Sequence, residues 1–230
     1  MRGFRSVLRL SIVLSVLGLT NSLAGPLQAQ GIPVGNAVTT DDFSNPQSGW
    51  DVSTHSGGRS AYDNGEYQVV AEPQGVGVRF GYRSEAARDF VVEVNARLPE
   101  GRDDTAVYLG VRFKSTAGNA PGGYVRLIVG PNQRRAVLGV NTWNGSSWSS
   151  PRLAEATDIS TINQGSETNR LGLKVKGTTF VAYVNGTEVL AAEDGTYPDG
   201  GGLVLGVIGP RGTATEARFD DLVVSELTGE

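Results

Sequence analysis

The chain has 230 residues, 20 basic against 24 acidic for a net charge of −4, with 39% apolar and 19% charged positions. That composition buries an ordinary core and excludes a disordered chain. There is no cysteine and one histidine, His55, so disulfides, thiolate metal sites, a cysteine nucleophile and multi-histidine metal centres are excluded. The 32 glycines ask for many turns between short strands.

Residues 1–29 differ in character from the rest of the chain. Arg2, Arg5 and Arg9 precede an apolar run, Leu10 to Leu19, and small residues then offer cleavage after Ala24 or Ala29. This is the order of a secretory signal peptide. The run is too short for a membrane span, which needs about 18–20 apolar residues. The expected mature chain carries 17 basic and 24 acidic residues, a net of −7, and no span. It is expected to be secreted, periplasmic or on the cell surface, with no general attraction to nucleic acid. Residues 30–40 read as a short linker into one domain over 41–227.

Within that domain the apolar period is two. Val76, Val78, Phe80 and Tyr82 alternate with polar or small residues, as do Phe90, Val92, Val94, Ala96 and Leu98. Val107, Leu109, Val111 and Phe113 follow, then strands near 123–130 and 134–143, and then Leu171, Leu173 and Val175. Further strands are predicted near 66–72, 178–185, 187–192, 202–208 and 215–226. Asn64-Gly65, Asn144-Gly145, Asn185-Gly186 and Asp199-Gly200 supply turn signals between runs. The parity slips at Asp221, between Phe219 and Leu222, which predicts a bulge there. About a dozen strands at this spacing predict an all-β, two-sheet antiparallel jelly-roll sandwich.

Several fragments carry a resemblance: Asp41-Asp42-Phe43, Gly49-Trp50, Tyr62 to Tyr67, Asn169-Arg170-Leu171, Tyr183 to Gly186, and Phe219 to Leu222. Together they resemble the concanavalin A-like lectin/glucanase jelly rolls, and among them the bacterial extracytoplasmic branch related to 3-keto-disaccharide hydrolase domains. The resemblance spans about residues 41–227 and implies the jelly-roll fold. It leaves open glycosidases, sugar-binding modules and domains without a ligand.

The retaining glucanases of that fold use a Glu-x-Asp-x-x-Glu strand, because nucleophile and acid must lie about 5–5.5 Å apart. No glutamate here starts that pattern, and Glu85 with Asp89 has the wrong spacing. His55 sits in a polar loop with neither partner of a catalytic triad in sight, and reads as a solvated side chain. Asp42 and Asp221, near the two chain ends, could converge with backbone carbonyls on a structural Ca²⁺, or serve only as turn and edge charges.

Aromatic and arginine residues give the other lead. If Val107, Leu109 and Val111 face the core, Tyr108 and Arg112 face outward; Tyr124 and Arg126 follow by the same parity, and Asn141 and Trp143 beside Trp148 complete a patch. Rings stack on sugar C–H faces and guanidinium groups donate to hydroxyls, so this set is the expected ligand face; the competing reading packs the rings into the core. The favoured function is a non-catalytic exported binding or surface-interaction module, with carbohydrate as its expected partner. The alternatives are a glycoside-active enzyme of the 3-keto-disaccharide hydrolase type and a structural envelope or adhesion protein. Intact-mass measurement on protein from its native host should give a mature chain starting at Gly25 or Gln30; a mass retaining Met1 would overturn the export reading.

Overall fold

The computed structural model describes residues 34–74, 78–83 (as backbone), 88–115 and 122–227. The expected signal peptide, Val76 and Glu85 lie outside the described residues.

Among the described residues sixteen strands follow one another: β1 (Ala37–Asp41), β2 (Ser53–His55), β3 (Gly58–Asp63), β4 (Glu66–Ala71), β5 (Val78–Arg83) and β6 (Phe90–Arg97). Next come β7 (Ala106–Lys114), β8 (Gly122–Gly130), β9 (Arg135–Trp143), β10 (Trp148–Ser149) and β11 (Arg152–Ala156). The chain ends with β12 (Asn169–Lys176), β13 (Thr179–Val184), β14 (Thr187–Glu193), β15 (Gly202–Ile208) and β16 (Thr215–Ser225). No helix occurs among the described residues. A nine-stranded sheet has the order β14-β13-β12-β6-β16-β4-β3-β2, with β1 also on β16; a seven-stranded sheet has the order β10-β9-β8-β7-β15-β5, with β11 on β9. The protein is an all-β, two-sheet antiparallel jelly roll.

Alternation builds the core between the sheets. Leu109, Leu127, Leu138 and Leu205 from one sheet face Val94, Leu173, Phe180 and Phe219 from the other, all fully buried. Asn64 and Gly65 have φ of 55° and 78°, and Asn185 and Gly186 have 51° and 77°. Positive φ at both central residues matches the right-handed twist of the strands they join, so these two Asn-Gly pairs close the hairpins β3–β4 and β13–β14. Asp199-Gly200 instead lies in the connection from β14 to β15, which changes sheets. Asn144-Gly145 links β9 to β10, where the Asn144 side-chain oxygen accepts from the backbone N–H groups of Ser146 and Ser147, both at 2.9 Å.

The predicted bulge is present: Asp221 has φ of 50° and the β16–β6 register shifts between Asp220 and Val223. One difference from the sequence reading concerns residues 37–40, read as linker. They form most of β1, which pairs with Leu222 to Ser225 of β16. Short polar residues on an edge give little alternation to read, and here the ladder comes from backbone groups alone.

The turn after β1 fixes the aromatic end of the core. Phe43, Trp50 and Tyr67 pack with centroids 5.2–5.8 Å apart. Asp41, buried beneath them, accepts from the Phe43 N–H at 3.0 Å and from Trp50 Nε1 at 3.1 Å. Removing that acceptor leaves a buried indole N–H unsatisfied, which costs about 1–3 kcal/mol. Asp41→Ala should therefore lower the free energy of unfolding by about 2 kcal/mol, read as a shifted urea midpoint at unchanged slope; an unchanged midpoint would contradict this role.

Candidate functional site

The outer face of the seven-stranded sheet carries the residues of interest. On it Arg126 lies opposite Gly110 and Gly139 across the ladders, and Ile128 lies opposite Tyr108 and Val137. Tyr108 in turn lies opposite Gly206. The Tyr108 ring folds down over Gly206, where an added Cβ would stand 2.2 Å from its Cζ, and the Tyr124 ring covers Gly110 at 2.9 Å. The two rings are within 9° of parallel with centroids 6.1 Å apart. The Tyr124 hydroxyl donates to the Tyr108 hydroxyl at 3.4 Å.

Above this pavement the Arg126 guanidinium sits 6.0 Å from the Tyr108 ring. Its Nε is buried without a hydrogen-bond partner. Arg126 forms one wall of a cavity of about 330 Å³, with Arg135 and Arg152 at the rim and Ile128, Val137 and Ile208 among its apolar lining. Glu155 bridges two of these cations, accepting from Arg135 Nε at 2.5 Å and from an Arg152 terminal nitrogen at 2.8 Å. The hydrogen bond from Arg135, with Arg152 behind it, holds the Glu155 carboxyl below the usual carboxylate value. Asp104 is the one carboxylate in the cavity lining, and it lies 3.4 Å from Arg102. The paired carboxylates of a retaining glycosidase are not assembled among these residues.

The residues expected on the outer face divide into three groups. Tyr108, Tyr124, Arg126 and Asn141 do share it, but both tyrosines are fully buried and so offer no free ring face. Asn141, opposite Tyr124, is buried with its side-chain oxygen unpartnered. Trp143 and Trp148 pair across β9 and β10 at the sheet edge, centroids 5.5 Å apart, and Trp148 is 48% exposed.

Arg112, expected to face outward, is fully buried instead. It has φ of 57° at a bulge where the β7–β8 register shifts between Val111 and Lys114. The extra residue reverses the parity, so Phe113, read as core, packs against Tyr124 outside, and Arg112 turns inward. Its guanidinium lies 5.2 Å from the Phe180 ring, fully buried, and donates to the backbone oxygens of Tyr197 (2.9 Å) and Arg88 (3.0 Å). Burial lowers its pKa, and Asp89, 3.6 Å away, works in the opposite direction. Arg112 is thus a structural clamp rather than a ligand contact.

Asp42 and Asp221 do meet, at a separate cavity of about 460 Å³ shared with Asn45 and Ser48. Asp42 is engaged by the Ser44 hydroxyl (2.7 Å) and N–H, which lower its pKa, and Asp221 accepts from Asn95 at 3.0 Å. Neighbouring Asp220 is pushed above the usual carboxylate value, first by burial and further by Asp221, Glu66 and Asp42. No group of three or more acidic or histidine side chains disposed for a metal exists among the described residues. His55 is exposed on β2, in the other sheet, and its Nδ1 accepts from the Gly57 N–H.

Arg135 and Arg152 were not singled out from the sequence. Arg135 opens β9 just after a turn, and Arg152 follows Pro151 on β11, whose register on β9 is itself shifted by a bulge. Neither position has a local alternation from which its direction could be read.

No family model and no curated protein matches the sequence. Solved structures do match the fold. A carbohydrate-binding module of family CBM66 from Bacillus subtilis is 18% identical with a TM-score of 0.57, over 77% of this chain and 96% of that one. The Bacillus licheniformis β-glucanase is 12% identical with a TM-score of 0.56, over 84% and 99%. The catalytic domain of a laminarinase from Thermotoga petrophila is 11% identical with a TM-score of 0.55, over 84% and 98%. The fold is therefore a jelly roll like that of these proteins.

Buried Arg112 and half-buried Arg126 differ in what they would lose. Arg112→Ala strands two backbone carbonyls and opens a void over Phe180, so it should cost about 3 kcal/mol or more. Arg126→Ala breaks no hydrogen bond and should cost about 1 kcal/mol or less. Thermal melts resolve this, at about 2–4 °C per kcal/mol for a domain of this size; equal losses would reject the division into clamp and site.

Proposed function

We propose that the chain is an exported, non-catalytic carbohydrate-binding module whose ligand lies on the outer face of the seven-stranded sheet. The observation that carries this reading is the cavity beside Arg126. It joins an unengaged guanidinium to apolar walls and contains a single carboxylate, the pattern of a few placed polar groups in an apolar cleft that suits ligand capture. Trp143 and Trp148, on the same sheet, add an aromatic edge that a sugar ring can cover. Structural similarity to a carbohydrate-binding module supports the same class of partner.

The similarity to glucanases supports one competing reading, a glycoside-active enzyme. A glycan array followed by calorimetry, with an assay on aryl and 3-keto glycosides, separates the two. The module reading expects saturable binding without turnover; turnover abolished by a single Asp or Glu change would replace it with the enzyme. Trp148→Ala should weaken glycan binding by about 1–3 kcal/mol and leave the melting temperature nearly unchanged, because the ring is half exposed. Wild-type affinity in that variant would remove the aromatic edge from the site.

A further inference from the structure

We propose that the glycan is acidic, its carboxylate or sulfate docking between Arg126, Arg135 and Arg152; this rests on the carbohydrate reading above. The whole chain is acidic, net −4, yet the cavity lining contains three arginines against one carboxylate, Asp104. Glu155 occupies one nitrogen of Arg135 and one of Arg152, leaving the remaining donors of both forks available. Arg126 makes no hydrogen bond and no ion pair among the described residues, and its Nε is shut off from water. Arg126 lines the cavity, and an anion that accepts from the terminal nitrogens of its charged fork gains more than a neutral hydroxyl would. The guanidinium is held in place by the Tyr108 ring beneath it, which limits the ordering that binding must still impose. Ile128, Val137 and Ile208 offer apolar contact to the C–H face of the ring that bears the charge.

Isothermal titration of the protein with polygalacturonate, with a sulfated galactan and with neutral laminarin tests this. Tighter binding to polygalacturonate points to carboxylate, and tighter binding to the galactan points to sulfate; either supports the proposal. Binding of the favoured acidic glycan should weaken steeply near 1 M salt, where the Debye length falls to about 3 Å. Arg126→Gln should weaken it about tenfold or more, the size expected for one charge-assisted pair. Chemical removal of the charge, by reducing the uronate carboxyls or desulfating the galactan, should have the same effect and does not depend on how the variant folds. Laminarin bound as tightly as either acidic glycan would overturn the acidic preference while leaving the carbohydrate reading intact. Acidic binding untouched by a well-folded Arg126→Gln would remove it from this cavity. Failure to bind any glycan would overturn both readings.

Discussion

Gly110 and Gly206 decide the depth of the outer face on the seven-stranded sheet, because each lies where a neighbouring strand brings a tyrosine ring down onto the backbone. Neither glycine has a left-handed φ, so close approach and not conformational freedom requires them. At 206 any Cβ would overlap the Tyr108 ring and drive it away from the sheet. The floor beneath Arg126 would rise with it, and the cavity would shallow. The buried tyrosines thus serve the site as a platform for the guanidinium that lies over them, and the groups left to meet a ligand are arginines and the edge tryptophans.

Two single-residue insertions set the limits of what period-two alternation can tell. At Asp221 the apolar set itself changes parity, from Ala217 and Phe219 to Leu222 and Val224, so the bulge is visible in the sequence. At Arg112 an aromatic follows on the expected beat, and Phe113 conceals the slip by being apolar wherever it points. A fully buried arginine contradicts the ordinary ranking of residue types, and the carbonyls of Tyr197 and Arg88, with the Asp89 carboxylate nearby, make its position tolerable. Those partners come from distant loops, which no local pattern announces.

The fragments that carried the family resemblance turn out to hold the fold together. Asp41, Phe43, Trp50 and Tyr67 make one aromatic cluster with its buried acceptor. Asn169 and Asn185 bind each other at 2.9 Å and tie down the Thr161 and Asn163 backbone. Fold class, core parity and two hairpins were therefore legible, since turns and alternation are local. Arg126, Asn141 and the tryptophans were legible as an outward set for the same reason. The gathering of Arg135 and Arg152 around Arg126 was not, because it depends on how β9 and β11 register after an irregular turn.

The strands β1 and β16 run antiparallel with Ala37 against Ser225 at one end and Asp41 against Leu222 at the other, so both ends of the chain leave the sandwich side by side. Gly35 and Glu226 are joined there by a backbone hydrogen bond of 2.8 Å. A mechanical load drawn through both ends would act across this ladder, in the direction of its hydrogen bonds, and would open it one pair at a time like a zip. Strand β16 would keep β6 beside it as β1 peeled away. The protein would yield first at this seam, at low force, while the arginine cavity on the opposite sheet stayed intact.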